Sequence, residues 1–169
     1  MIHVCSLARL HETVEATRAS HIVTLISRDI EVERPPSIPA TNHLWLEMHD
    51  ISTPLDGYLL PQTHHIEELL TFVRQWNREQ PMVVHCHAGI SRSSAAAFVA
   101  ACALAPHRDE RTIALAMREA SPTALPNVRI VSLADQALAR SGRMVAAIKA
   151  MSPYSPCFSG AAPFRVAID

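Results

Sequence analysis

Short apolar runs alternate along the chain with longer segments whose apolar residues recur at helical spacing, the pattern of a layered α/β protein with a mostly parallel sheet. Strand candidates are Ile2 to Cys5, His21 to Ile26, His43 to Met48 and Met82 to His85. Between the first two, Leu7, Leu10, Val14 and Ala19 predict a crossover helix over Leu7 to Ala19. A second helix is predicted from His64 to Glu79, where Ile66, Leu69, Leu70, Val73 and Trp76 fall on one face. The stretch Arg28 to Ala40 holds Pro35, Pro36 and Pro39 and reads as a connecting loop.

After Met82 to His85 every regular segment reads as helix. Ser93 to Leu104 is Ala-rich and central, and Asp109 to Ala120 has acidic residues in its first turn. Asn127 to Ser141 follows Pro126, with Asn127 as its N-cap. The expected architecture is α/β: a central, mostly parallel sheet of four or five strands flanked by helices, with a C-terminal half that is all helical. Residues 1–151 read as a single domain. Residues 152–169, with Pro153, Pro156, Gly160 and Pro163 and no periodicity, read as an irregular C-terminal tail.

Composition narrows the partners. A chain of 169 residues that is 49% hydrophobic can bury one good core. Fifteen basic against 16 acidic residues leave no electrostatic footprint for nucleic acid or an anionic membrane. The most apolar run, Ala95 to Ala105, is far short of the roughly 20 residues that cross a bilayer. No secretory or transit segment is evident, so a cytoplasmic, monomeric protein is expected. Cys5, Cys86, Cys102 and Cys157 form no C-x-x-C pair, which argues against a zinc site or a disulfide framework and leaves no metal or cofactor expected. Cys102 reads as a core residue. Cys5 reads as buried, with a protective disulfide to Cys86 as its alternative.

The chemistry is concentrated in Val83-Val84-His85-Cys86-His87-Ala88-Gly89-Ile90-Ser91-Arg92-Ser93, where a buried strand runs into a short loop and then directly into a helix. A loop closing into a helix N-terminus aims successive backbone N–H groups at one spot, and the helix dipole adds positive potential there. Residues His87, Ala88, Gly89, Ile90, Ser91 and Arg92 are therefore expected to bind phosphate. The same field favours a thiolate at Cys86, whose pKa is expected to fall below the free value of about 8.5. Arg92, six positions later, can grip two phosphate oxygens with its planar fork. Ser93 can donate to the Cys86 sulfur when it leaves, and His85 is expected to be buried, hydrogen-bonded to backbone, and supporting the loop.

His-Cys-His-Ala-Gly-Ile-Ser-Arg-Ser resembles the phosphate loop of cysteine-based protein tyrosine phosphatases, and most closely that of the compact dual-specificity-like branch, which includes bacterial-type enzymes. The resemblance extends to the all-helical half after the loop and to the Pro126-Asn127 step, where Asn127 is a supporting residue. It implies hydrolysis of phosphate monoesters through a phosphocysteine intermediate, with a phosphorylated protein or a small phosphorylated molecule as substrate. The general acid of that branch lies in a loop roughly thirty to forty residues before the cysteine, which points to Asp50. The glutamine that often follows the Pro-Asn step falls, by counting, on Leu133. The absence of lysines from the loop lowers the case for an inositol lipid substrate.

Two other readings remain open on the residues alone. A rhodanese-like sulfurtransferase also holds a cysteine in a ring of N–H donors, but it needs no acid at Asp50. A non-catalytic phosphate-binding module would use the same loop, and an intact Cys86, Arg92 and Ser93 argue against it. A metal site at His85, Cys86 and His87 is disfavoured, because adjacent residues on an extended segment point to opposite faces.

Overall fold

A computed structural model describes residues 1–156 and 160–168, so Cys157 lies outside the described residues. Five strands, β1 (Ile2–Ser6), β2 (His21–Leu25), β3 (His43–Leu46), β4 (Met82–Cys86) and β5 (Phe164–Val166), form one sheet in the order β3-β2-β4-β1-β5. The first four are mutually parallel and β5 pairs antiparallel with β1. The fold is thus α/β with a mostly parallel sheet.

Alternation along the strands divides the core in two. On one face Cys5, Ile22 and Val83 pack with Leu10 and Val14 of α1 (Leu10–Thr17) and with Ile38 from the proline-rich loop. The other face carries Val4, Val23, Leu25 and Val84, buried under five helices: α2 (Thr63–Gln75), α3 (Arg92–Leu104), α4 (Glu110–Ala120), α5 (Val128–Ala137) and α6 (Arg143–Lys149). Strands buried on both faces explain why β2 and β4 read as near-continuous apolar runs. Helix α3 is buried on every side through its first three turns, which its Ala and Ser residues permit by keeping the helix thin. None of the helices among the described residues is long and apolar enough to cross a membrane.

The structure departs from the sequence reading at three places. Helix α2 stops at Gln75 instead of Glu79, because Trp76 turns extended and its indole N–H donates to the Gln80 carbonyl at 2.9 Å. The helix predicted to Ser141 ends at Ala137. Ala139 and Ser141 take positive φ, and Asp135 accepts from the backbone N–H of Gly142 and Met144, which starts the unforeseen α6. The tail is also not irregular throughout. Phe164, Val166 and Ile168 are buried in the main core while Arg165 is exposed, so residues read as lying beyond the domain complete its sheet. A strand of three residues is too short for its alternation to register in the sequence.

Candidate active site

Strand β4 ends at Cys86 and α3 begins at Arg92, so the loop 87–91 turns back over the end of the sheet. Gly89 makes the turn with φ +73°. A Cβ there would stand 2.7 Å from the Ser6 nitrogen and 2.8 Å from the Cys5 carbonyl carbon, so the loop touches β1 at a point where only glycine fits.

The loop carbonyls are tied to the surrounding chain. His87 C=O accepts from Leu7 N–H at 3.2 Å, Ile90 C=O from Leu125 N–H at 3.0 Å, and Ser91 C=O from Asn127 N–H at 3.3 Å. The Ser94 hydroxyl donates to both the Ile90 and Ser91 carbonyls. In a trans peptide the carbonyl of one residue and the N–H of the next point in opposite directions. Holding these carbonyls outward therefore turns the N–H groups of Ala88, Ser91 and Arg92 to the other side, toward a cleft lined by Cys86, His87, Ala88, Ile90, Ser91 and Arg92. Such an array, with the α3 dipole behind it, has the geometry and field to hold an anion.

Cys86 Sγ lies 3.1 Å from Ser93 Oγ, and both residues are buried. The Arg92 side chain is buried as well. Its Nη1 donates to the Met48 carbonyl at 2.8 Å, while Nε has no partner among the described residues. A buried guanidinium N–H without an acceptor is costly, and an oxygen of a bound phosphate would satisfy it.

Asp50 reaches the same cleft from the loop after β3. Its Oδ1 accepts from Ser91 Oγ at 2.7 Å and from Asn127 Nδ2 at 2.8 Å. Asn127 Oδ1 in turn caps α5 by accepting from the N–H groups of Arg129 and Ile130 at 3.0 and 3.2 Å. One asparagine thus fixes the aspartate, the phosphate loop and a helix start together. Asp56, with Gly57 at positive φ, stands exposed on a turn outside the cleft.

His85 is fully buried on the opposite face of the sheet, with Nε2 2.7 Å from Thr24 Oγ1. The same hydroxyl lies 2.7 Å from His43 Nε2. A hydroxyl has one proton, so it donates to one ring and accepts from the other, and the two imidazoles hold complementary tautomers. Burial drives the His85 pKa down to about 3. His43 and Arg92 push the same way, and backbone hydrogen bonding to Cys86 opposes them. His85 is buried and neutral, and its side-chain partner is the Thr24 hydroxyl, a contact beyond the backbone bonding that the sequence reading expected.

The other described cysteines are inert. Burial pushes the Cys5 and Cys102 thiols up to about 12. Cys5 pairs in register with His85 and packs under α1, whereas Cys86 belongs to the opposite core, so the alternation of the strands separates the two sulfurs. Leu133 packs against the main core and lies outside the lining of the cleft. Among the described residues no group of three or more His, Cys, Asp or Glu is arranged to hold a metal ion.

Sequence reasoning missed Met48, Thr24, Leu7 and Leu125. Three of these act through backbone atoms, which leave no trace in residue type. Thr24 had one available signal, a hydroxyl in the middle of an otherwise apolar strand.

The family model described as "Tc-R-P: Polymorphic toxin system, DSP-PTPase phosphatase" matches residues 8–108, a span that includes Asp50, Cys86, Arg92 and Ser93 and stops short of Asn127. A search of the curated proteins finds no match. Among solved structures, the Cydia pomonella PTP-2 phosphatase is similar over 98% of this chain and 94% of its own, at 20% identity and a TM-score of 0.61. DUSP15 is similar over 91% and 94% at 16% identity and a TM-score of 0.65, and human DUSP28 over 89% and 95% at 18% and 0.61. At these identities the likeness is one of fold.

Proposed function

The chain belongs to the polymorphic-toxin-system DSP-PTPase phosphatase family and is a phosphatase of the cysteine-based type, and from that premise we propose that it hydrolyses phosphate monoesters through a phosphocysteine at Cys86. The observation that carries this reading is the pairing in one cleft of the Cys86 sulfur, 3.1 Å from the Ser93 hydroxyl, with a buried Arg92 whose Nε has no acceptor among the described residues.

In the proposed reaction the inward N–H groups and the Arg92 fork bind three phosphate oxygens and stabilise the charge that spreads over them in the transition state. The Cys86 thiolate forms the S–P bond as the P–O bond to the leaving group breaks. Asp50 delivers a proton to that leaving oxygen. Oδ1 already accepts two hydrogen bonds, so Oδ2 is the oxygen left for this transfer. Water then attacks phosphorus as Asp50 takes up its proton, the S–P bond breaks, and Ser93 Oγ–H stabilises the departing thiolate. A sulfurtransferase gives Asp50 no task, and the family assignment sets that reading aside.

The rim favours an aryl ester on a protein. Apart from Arg92 the cleft carries no Lys or Arg, and Leu55, Leu125 and Val128 stand exposed around its mouth. Such a rim packs an aromatic ring and its apolar neighbours better than a polyphosphorylated sugar, which needs cations.

The deciding experiment compares wild type with Cys86→Ser and Arg92→Lys on an aryl phosphate and a phosphotyrosine peptide. Cys86→Ser is expected to bind orthovanadate and lose all turnover. Arg92→Lys is expected to lose both turnover and vanadate affinity, since an ammonium cannot bridge two oxygens. Turnover by Cys86→Ser, or wild-type behaviour of Arg92→Lys, would overturn the assignment.

A further inference from the structure

The phosphate loop has a fourth tie, and it comes from the far end of the chain. Ala161 N–H donates to the Ala88 carbonyl at 2.9 Å. Ala161 is buried, and β5 three residues later is paired to β1 through Val4 and Phe164. Gly160 reaches the loop with φ +86°. A Cβ added to it would lie 3.5 Å from the Ala88 oxygen and 3.6 Å from Ser6 Cβ, so this backbone runs directly behind the loop.

We propose that the segment Gly160 to Val166 is a positioning element for catalysis, holding the Ala88–Gly89 peptide so that its N–H faces the phosphate. The proposal rests on the assignment of residues 87–92 as the phosphate loop.

The argument is the same peptide geometry. With the Ala88 carbonyl held outward by Ala161, the Gly89 N–H points to the opposite side, toward the cleft. Rotation of the Ala88–Gly89 unit is also less restrained than that of a peptide between two residues with side chains, because Gly89 has no Cβ to penalise the alternative φ values. A flip of this peptide would turn a carbonyl lone pair toward a dianion and remove a donor at once. Three other loop carbonyls are tied independently of this segment: His87 C=O to Leu7, and the Ile90 and Ser91 carbonyls to the α4–α5 connection and the start of α3. Strand β5 supplies the anchorage, since its pairing with β1 fixes Gly160 and Ala161 against the loop.

Two variants remove the donor. Ala161→Pro lacks the N–H, and a semisynthetic chain with an ester in place of the Gly160–Ala161 amide lacks it without changing any side chain. Glu119→Ala, an exposed position on α4 outside this segment, is the control. For each, kcat on an aryl phosphate, the inhibition constant of orthovanadate and the urea midpoint are measured, with Cys86→Ser in the same assay.

Both donor-free chains are expected to weaken vanadate binding and lower kcat per folded molecule by about tenfold or more, in the range of a single lost oxyanion donor. Glu119→Ala is expected to match wild type. A folded donor-free chain with wild-type kcat and vanadate affinity would overturn the proposal, as would an activity loss that only follows the unfolded fraction. If the proline variant does not fold, the ester decides on the same two constants. Turnover by Cys86→Ser would sink the phosphate-loop assignment itself, whereas an active wild type with unaffected donor-free chains would sink the brace alone.

Discussion

Asn127 Nδ2 donates to Asp50 Oδ1 at 2.8 Å, joining the loop after β3 to the first turn of α5. The bond places the carboxylate over the cleft with Oδ2 left for a leaving group. Asp50→Ala is expected to cost roughly a hundred- to ten-thousandfold on phosphotyrosine, the usual worth of a general acid, and much less on an aryl phosphate with an acidic phenol. The basic limb of the kcat profile is expected to vanish with it. Asn127→Ala is expected to show the same substrate dependence in milder form and to lose about 1 kcal/mol with the α5 cap. Equal losses on both substrates would show that Asp50 does not transfer the proton.

Gly89→Ala tests the contact between the loop and β1. The new Cβ meets backbone at 2.7 and 2.8 Å and φ is +73°, so the loop or the strand has to move. Loss of nearly all turnover is expected, with a stability cost of about 2 kcal/mol from left-handed strain and the clash. Near-normal kcat in this variant would mean that the loop is not seated on β1 as described.

The buried neutral His85 gives stability a sign with pH. Its folded pKa of about 3 lies below the ordinary 6.5, so between these values the unfolded chain holds a proton that the folded chain does not. Stability is therefore complete above about pH 6.5 and is lost as pH falls toward 3. Burial also lowers the pKa of His3, His21, His43 and His65, which act in the same direction. Urea midpoints measured from pH 7 to pH 4 are expected to fall steadily. His85→Gln is expected to reduce the slope by up to one proton, about 1.4 kcal/mol per pH unit. An unchanged slope would show that His85 titrates normally.

Glu110 joins α4 to the α5–α6 connection and to α6, with Arg140 at 3.1 Å and Arg143 at 3.2 Å. Its carboxyl is nearly buried, and Arg140 is largely so. Glu110→Ala leaves Arg140 without its carboxylate and is expected to cost roughly 2–3 kcal/mol, below the figure for a fully buried pair because Arg143 is half exposed. Thermal unfolding at neutral pH reads this directly, and kcat of the folded enzyme is expected to stay unchanged. A drop in kcat per folded molecule would show that this ion-pair cluster reaches the active site.

Cys86, Arg92 and Ser93 were legible in the chain because they lie within eight consecutive residues, and a strand end followed by a helix start brings such residues together without help from the rest of the fold. The four parallel strands were legible for a related reason: burial on both faces demands continuous apolar runs. Asp50 was legible only through a family resemblance, since nothing local in Met48-His49-Asp50 marks an acid that meets Asn127 from 77 residues away. The outward ties on the loop were not legible at all. They are made by the backbone N–H groups of Leu7, Leu125, Asn127 and Ala161, and every residue except proline carries such an N–H. Helix α6 and strand β5, with seven and three residues, are too short for a period to show, and they form because Asp135 starts one and the free edge of β1 accepts the other. The sequence by itself determined which side chains stand together between the end of β4 and the start of α3; the tertiary structure decided which way the surrounding peptides face, because backbone orientation is set by partners that only folding brings near.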